Sequence, residues 1–73
     1  MDIKQKLTLL EELLDKEEGE LKAENKLEDV AGWDSMAALA LIVLIDDEFG
    51  KELSMAEIRK FKTVQDIIDI MEK

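Results

Sequence analysis

The chain has 73 residues, with 19 acids against 10 bases and a formal net charge of −9; at this length an unfolded chain loses only about 60% of its exposed surface on folding, so a small core and one domain, residues 1–73, are expected. It has no cysteine and no histidine, which removes disulfides, thiolate metal sites and the commonest general base, so neither a metal site nor an enzyme active site is expected. The acidic balance repels phosphate backbones, which excludes nucleic acid as an expected partner, and it favours encounters with basic surfaces.

Residues 2–15 place Ile3, Leu7, Leu10 and Leu14 at spacings of four, three and four, with Leu13 alongside. That stripe predicts an amphipathic first helix. Charges recur at every turn of "MDIKQKLTLLEELLDK", which is unlike a secretory signal. Residues 16–33, "KEEGELKAENKLEDVAGW", lack sustained periodicity and read as a long connection. Leu21, Leu27 and Val30 are sparse apolar anchors that would pin it to the core. A loop of this length in a small domain signals function or a short helix that periodicity does not reveal.

Residues 35–49 contain an unbroken apolar run from Met36 to Ile45. Such a run fits a buried strand or a buried helix, but fifteen residues with three alanines and four Leu or Met favour helix. Gly50 supplies the stop. The run is about half the length of a membrane span, so a cytoplasmic protein without a spanning helix is expected. On a wheel of about 100° per residue, Ala38, Leu41, Ile42, Ile45 and Phe49 face the core. Met36, Ala37, Ala40, Val43, Leu44 and Asp47 fall on the opposite side, which is mostly apolar and reads as a partner-docking face. Asp46, Asp47 and Glu48 have no base among residues 33–50. They oppose the helix dipole by about a few tenths of a kcal/mol each and would steer a basic partner.

"SMAE", residues 54–57, matches a capping box in which the Ser54 hydroxyl and Glu57 carboxylate each satisfy a backbone amide. The short helix that follows would turn Ile58 and Phe61 inward. Thr63 caps a last helix with Val64, Ile67, Ile68 and Met71 inside and Asp66 and Asp69 outside. There is no proline, and glycines occur only at 19, 32 and 50, where helices break. The expected fold class is all-α, a small bundle of three main helices plus one short helix.

Asp34 and Ser35 are both favoured helix caps, and either fits. Ser35 is no hydrolytic nucleophile, because there is no His or Cys to activate it and no Gly-x-Ser-x-Gly elbow. A helix start does accommodate a phosphate, through its free amides and its dipole. Ser35 could therefore accept a phosphodiester made by another enzyme. "DDEFGKE" lacks the alternating acids of a calcium loop.

"LEDVAGWDSMAAL…LIDDEFG…LSMAEI…FKTVQDIIDIM" resembles the acyl carrier proteins and related carrier domains over about residues 3–72. The shared pattern is a leading helix, a long loop and an Asp-Ser-Leu-type motif opening the second helix. An acid-Phe-Gly ending and a Thr-Val-x-Asp start to the final helix complete it. Met36 replaces the usual Leu with similar volume. The resemblance implies that a separate phosphopantetheinyl transferase, using coenzyme A and magnesium, attaches 4'-phosphopantetheine to Ser35. Asp34 would support that modification. The terminal thiol of the arm would carry acyl or aminoacyl groups for fatty acid, lipid, polyketide or related biosynthesis, with a monomeric protein presenting them. The second helix, through Met36, Ala37, Ala40, Val43, Leu44, Asp46, Asp47 and Glu48, would be read by acyl-transferring, ligase or synthase enzymes with basic docking surfaces. Ala37 and Ala40 stand where fatty-acid carriers usually have acids, and "GWDS" is more like specialised carriers serving dedicated synthases or ligases. The alternative from another class is an acidic helical interaction module in which Ser35 is only a cap.

Overall fold

Asp2 opens the first helix. In the computed structural model, which describes residues 2–72, its carboxylate accepts the Gln5 amide at 2.8 Å and the Gln5 side chain accepts the Asp2 amide at 3.0 Å. This reciprocal box starts α1, Ile3–Leu13. Four further elements follow: a 3-10 turn at Leu27–Asp29, α2 at Ser35–Phe49, α3 at Met55–Ile58 and α4 at Val64–Ile70. α1 packs on α2 and on α4, and α3 packs on α2. This is the expected all-α bundle of three main helices and one short one. Among the described residues the only extended pairing is an isolated antiparallel bridge between Lys26 and Thr63.

The core draws on every element. Leu10 of α1, Leu41 and Ile45 of α2, Val64 and Ile67 of α4, and Met71 just beyond it are closed to solvent. Leu21 and Leu27 from the long connection, Leu53, and Ile58 of α3 complete it. The expected inner stripe of α4, Val64, Ile67, Ile68 and Met71, is buried throughout. The stripe of α1 is buried at Leu10 and half-buried at Leu7, Leu13 and Leu14, whereas Ile3 in the first turn is 54% exposed and stands outside the packed cluster.

The connection 16–33 is pinned, as its anchors imply, and polar contacts account for much of the pinning. α1 ends in a Schellman arrangement: the Asp15 amide donates to the Glu12 carbonyl at 3.2 Å and the Lys16 amide to the Glu11 carbonyl at 2.8 Å. Asp15 takes the left-handed position, φ 57°, that glycine usually fills. The buried Glu11 carboxylate then accepts the amides of Gly19 and Leu21. Further on, the Leu27 amide donates to the Lys62 carbonyl, and the Val64 and Gln65 amides donate to the Asn25 and Ala23 carbonyls. The loop is thereby tied to the start of α4. Its hidden short helix is the 3-10 turn at Leu27–Asp29.

Two caps differ in detail from the sequence expectation. Ser54 accepts the Glu57 amide at 3.2 Å, but the Glu57 carboxylate accepts from the Ser54 hydroxyl, not from its amide. Thr63 caps α4 as expected. Asp66, expected merely to face outward, closes a box by accepting the Lys62 amide at 2.8 Å and the Thr63 amide at 3.1 Å. The reason is its position three residues after the cap, where a carboxylate reaches back to the helix start.

Candidate functional site

The start of α2 is set by the tight chain reversal before it. Gly32 has φ 89°, a left-handed conformation that disfavours side chains, and the Trp33 amide donates to the Val30 carbonyl at 3.2 Å. Asp34 then enters extended and becomes the N-cap. Its Oδ1 accepts the Ala37 amide at 2.9 Å, and its carbonyl accepts the Ala38 amide at 2.9 Å. Of the two residues able to cap, Asp34 does so. Ser35 is the first helical residue, it is exposed, and its hydroxyl is not the cap. The capping role that sequence reasoning allowed for Ser35 therefore falls to Asp34.

With Asp34 serving Ala37 and Ala38, the amides of Ser35 and Met36 are the outer pair of the first turn. They point out of the positive end of a fifteen-residue helix, where a phosphate monoanion is stabilised. An accessible hydroxyl beside these amides fits a phosphodiester. No imidazole or thiol occurs in the chain to turn that hydroxyl into a hydrolytic nucleophile.

A groove of about 650 Å³ lies beside this start, lined by Lys26, Leu27, Glu28, Trp33, Phe61, Lys62 and Thr63. Its Trp33 and Phe61 side chains are half-buried and pack against the core. The volume lies within the range of small-molecule sites. Nothing in the sequence marks Phe61 or Lys62 as a site residue, because they are distant in the chain. The Lys26–Thr63 bridge brings their segment to the loop before α2.

Along α2, Met36 is 76% and Val43 59% exposed, and Ala40, Asp46, Asp47 and Glu48 are exposed. Two members of the expected outer face differ. Ala37 is 8% exposed and belongs inside. It lies one turn before Leu41 and two before Ile45, in the same i, i+4 row, and both of those are sealed. Leu44 is half-buried against the core because it flanks Leu41 three residues on. Leu39, absent from the expected face, is 54% exposed. Its spacing of three from Met36 and four to Val43 is a signal legible in the sequence.

The family model for the phosphopantetheine attachment site matches residues 7–71. The acyl carrier protein of Thermotoga maritima is 33% identical over 66 residues, covering 90% of this chain and 82% of that protein. The acyl carrier protein of Phytoplasma mali is 34% identical over 62 residues, covering 85% and 74%. The chain belongs to the acyl carrier protein family. Phosphopantetheine is its cofactor, and the family is one of carriers. The cofactor-free interaction module is accordingly not favoured for this carrier. No solved structure matches the chain significantly. No helix among the carrier's described residues is long and apolar enough to cross a membrane.

Proposed function

We propose that residues 1–73 form one carrier domain in which Ser35 bears the arm, and that the protein itself catalyses nothing. The observation that carries this reading is the division of labour at the α2 start: Asp34 holds the cap, and the neighbouring hydroxyl is exposed at the positive helix end. In the attachment step Ser35 Oγ forms a P–O bond as the pyrophosphate bond of coenzyme A breaks. Adenosine 3',5'-bisphosphate leaves, and the serine proton passes to a base of the transferase. Asp34 places a carboxylate next to the acceptor, where it would attract the magnesium ion that accompanies coenzyme A. The arm, once attached, supplies a thiol that holds acyl or aminoacyl groups as a thioester.

The chain's own residues then present that arm. The Ser35 and Met36 amides favour the phosphodiester charge. The Trp33–Phe61 groove offers apolar surface to the arm or its cargo. Met36, Ala40, Val43, Asp46, Asp47 and Glu48 of α2 face outward for partner enzymes of a lipid, polyketide or related pathway in the cytoplasm. Leu44 lends only its outer edge to that face, and Ala37 supports it from below.

Incubation with coenzyme A, magnesium and a broad-specificity phosphopantetheinyl transferase tests the reading by intact mass spectrometry. One phosphopantetheine is expected on the parent protein and none on Ser35→Ala. A parent that stays unmodified, or a Ser35→Ala variant that still gains the mass, overturns Ser35 as the attachment point.

A further inference from the structure

The groove beside the α2 start joins apolar and charged side chains. Leu27 is buried in its lining, and Trp33 and Phe61 are half-buried there. Lys26, Glu28 and Lys62 line it as well and are exposed. The two lysines are far apart in the chain. The Lys26–Thr63 bridge brings them to one groove, and the Leu27 amide donates to the Lys62 carbonyl at 2.9 Å. The lining thus carries two positive charges against one negative, in a chain whose net charge is −9. The flanking segment keeps that sign, because residues 58–65 contain Arg59, Lys60 and Lys62 and no acid. The charged residues of α2, by contrast, are all acids. Lys26 has the weaker local field of the two lysines, since it also borders a second groove, of about 450 Å³, that holds Glu20, Glu24 and Asp29. Lys62 has Asp66 in its neighbourhood, but Asp66 Oδ2 is already engaged by the Lys62 and Thr63 amides at 2.8 and 3.1 Å.

Resting on the reading of Ser35 as the attachment point, we propose that this groove selects cargo by charge: it holds an acyl group that ends in a carboxylate and disfavours one that ends in an ammonium, with Lys62 as the main determinant and Lys26 in support. The methylenes of such a dicarboxylic half-thioester lie on Trp33 and Phe61, and its free carboxylate meets Lys62. A lysine stem rests on apolar surface while its ammonium stays in water, so the pair forms without stripping the cation of its solvent. An ammonium-ended cargo meets the opposite field and finds only Glu28 to pair with. A plain alkyl cargo uses the apolar floor and is indifferent to the lysines. Of the acyl and aminoacyl groups that the arm's thiol can hold, the groove therefore favours carboxyacyl groups over cationic ones.

The test loads the carrier from coenzyme A thioesters, with a broad-specificity transferase and magnesium, to give three forms that differ only in the end group of the cargo: adipoyl, hexanoyl and 6-aminohexanoyl. Thermal melts at pH 7 and low salt are combined with the fluorescence of Trp33, the only tryptophan. Each loaded form is referred to the unloaded protein of the same variant. The adipoyl form is expected to melt about 3 °C above the 6-aminohexanoyl form, the size of one or two exposed ion pairs in a domain of this length. Raising salt to about 1 M, where the Debye length is about 3 Å, should remove most of that gap. Lys62→Gln should close it, Lys62→Arg should keep it and Lys62→Glu should reverse it. Lys4→Gln makes the same change in net charge outside the lining and should leave the gap unchanged. The hexanoyl form should respond to none of these substitutions. Equal melting points for the adipoyl and 6-aminohexanoyl forms, or a gap that survives Lys62→Glu, overturns charge selection. A gap with identical Trp33 emission in the two forms would put the cargo outside the groove and overturns it too. A parent protein that takes up none of the three arms defeats the reading of Ser35 instead.

Discussion

Glu11 Oε2 accepts the Leu21 amide at 3.0 Å, ten residues on, with both residues buried. The same oxygen accepts the Gly19 amide at 2.8 Å. One carboxylate thus replaces water for two loop amides and fixes the first half of the connection that leads to Ser35. Glu11→Ala strands a buried amide and should lower the free energy of urea unfolding by about 2 kcal/mol. Glu11→Gln keeps an accepting carbonyl and should lose less. Equal losses in the two variants would mean that the carboxylate acts through packing rather than through these bonds.

At the end of α1 the left-handed position is filled by Asp15, φ 57°. A non-glycine residue there costs about 1–2 kcal/mol of backbone strain, although aspartate tolerates it better than most. Glycine removes the strain but enlarges the unfolded ensemble. The net expectation for Asp15→Gly is a gain of about 0.5–1 kcal/mol, helped by removing an acid from a helix C-terminus. Thermal melts at pH 7 check it, and a lower midpoint would contradict the strain.

The cap and the acceptor are adjacent but separable. Asp34→Ala leaves the Ala37 amide without its side-chain partner and should cost about 1 kcal/mol. Ser35→Ala removes an exposed hydroxyl that is not the cap and should change stability by less than about 0.5 kcal/mol. Chemical denaturation of the two variants decides the matter. If Ser35→Ala were the more costly, the serine would be the structural residue.

Asp66 gives the fold an acid-sensitive contact. The amides of Lys62 and then Thr63 hold its carboxyl below its ordinary value of 3.8, with burial opposing them. A carboxyl lowered by folding stabilises the native state above its unfolded pKa, and that contribution is lost as pH falls through the lower folded value. Asp66→Asn should therefore be less stable than the parent at pH 7, with the gap closing below about pH 3.8. Unfolding curves over that pH range test this, and a gap independent of pH would assign the effect to shape alone.

The groove at Trp33 and Phe61 makes cargo burial measurable. A long acyl chain on the arm can cover apolar groove surface, or slip between the helices, only in the folded state. It should raise Tm and change Trp33 fluorescence relative to a short polar cargo. Identical melts and spectra for the two loaded forms would count against cargo burial and leave tethering intact.

Much of this molecule is legible in local chemistry. The α2 run, its stop at Gly50, the Thr63 cap and the inner stripe of α4 follow from composition and spacing over a few residues. The Asp2–Gln5 and Thr63–Asp66 boxes are also written as three-residue spacings, although helical periodicity alone does not pick them out. The placement of Ala37 and Leu44 is not visible in that way. A wheel assigns two sides to a helix, whereas α2 packs against both α1 and α3, and Ala37 and Leu44 widen its buried arc beyond one stripe. Glu11 is hidden for a different reason, since its partners are backbone amides that carry no side-chain signature.

Short-range chemistry alone determined that this chain is all-helical, that the central helix stops at Gly50, and that a serine with an aspartate before it opens that helix. Propensity, capping and periodicity act over one or two turns, so they are written in neighbouring residues. The structure picked Asp34 over Ser35 for the cap, a choice the two favoured residues leave open locally; only the tertiary structure decided that Phe61 and Lys62 line a groove with Trp33, and which apolar residues of α2 meet solvent. Those outcomes depend on how segments far apart in the chain pack and exchange backbone hydrogen bonds, and no local pattern records that.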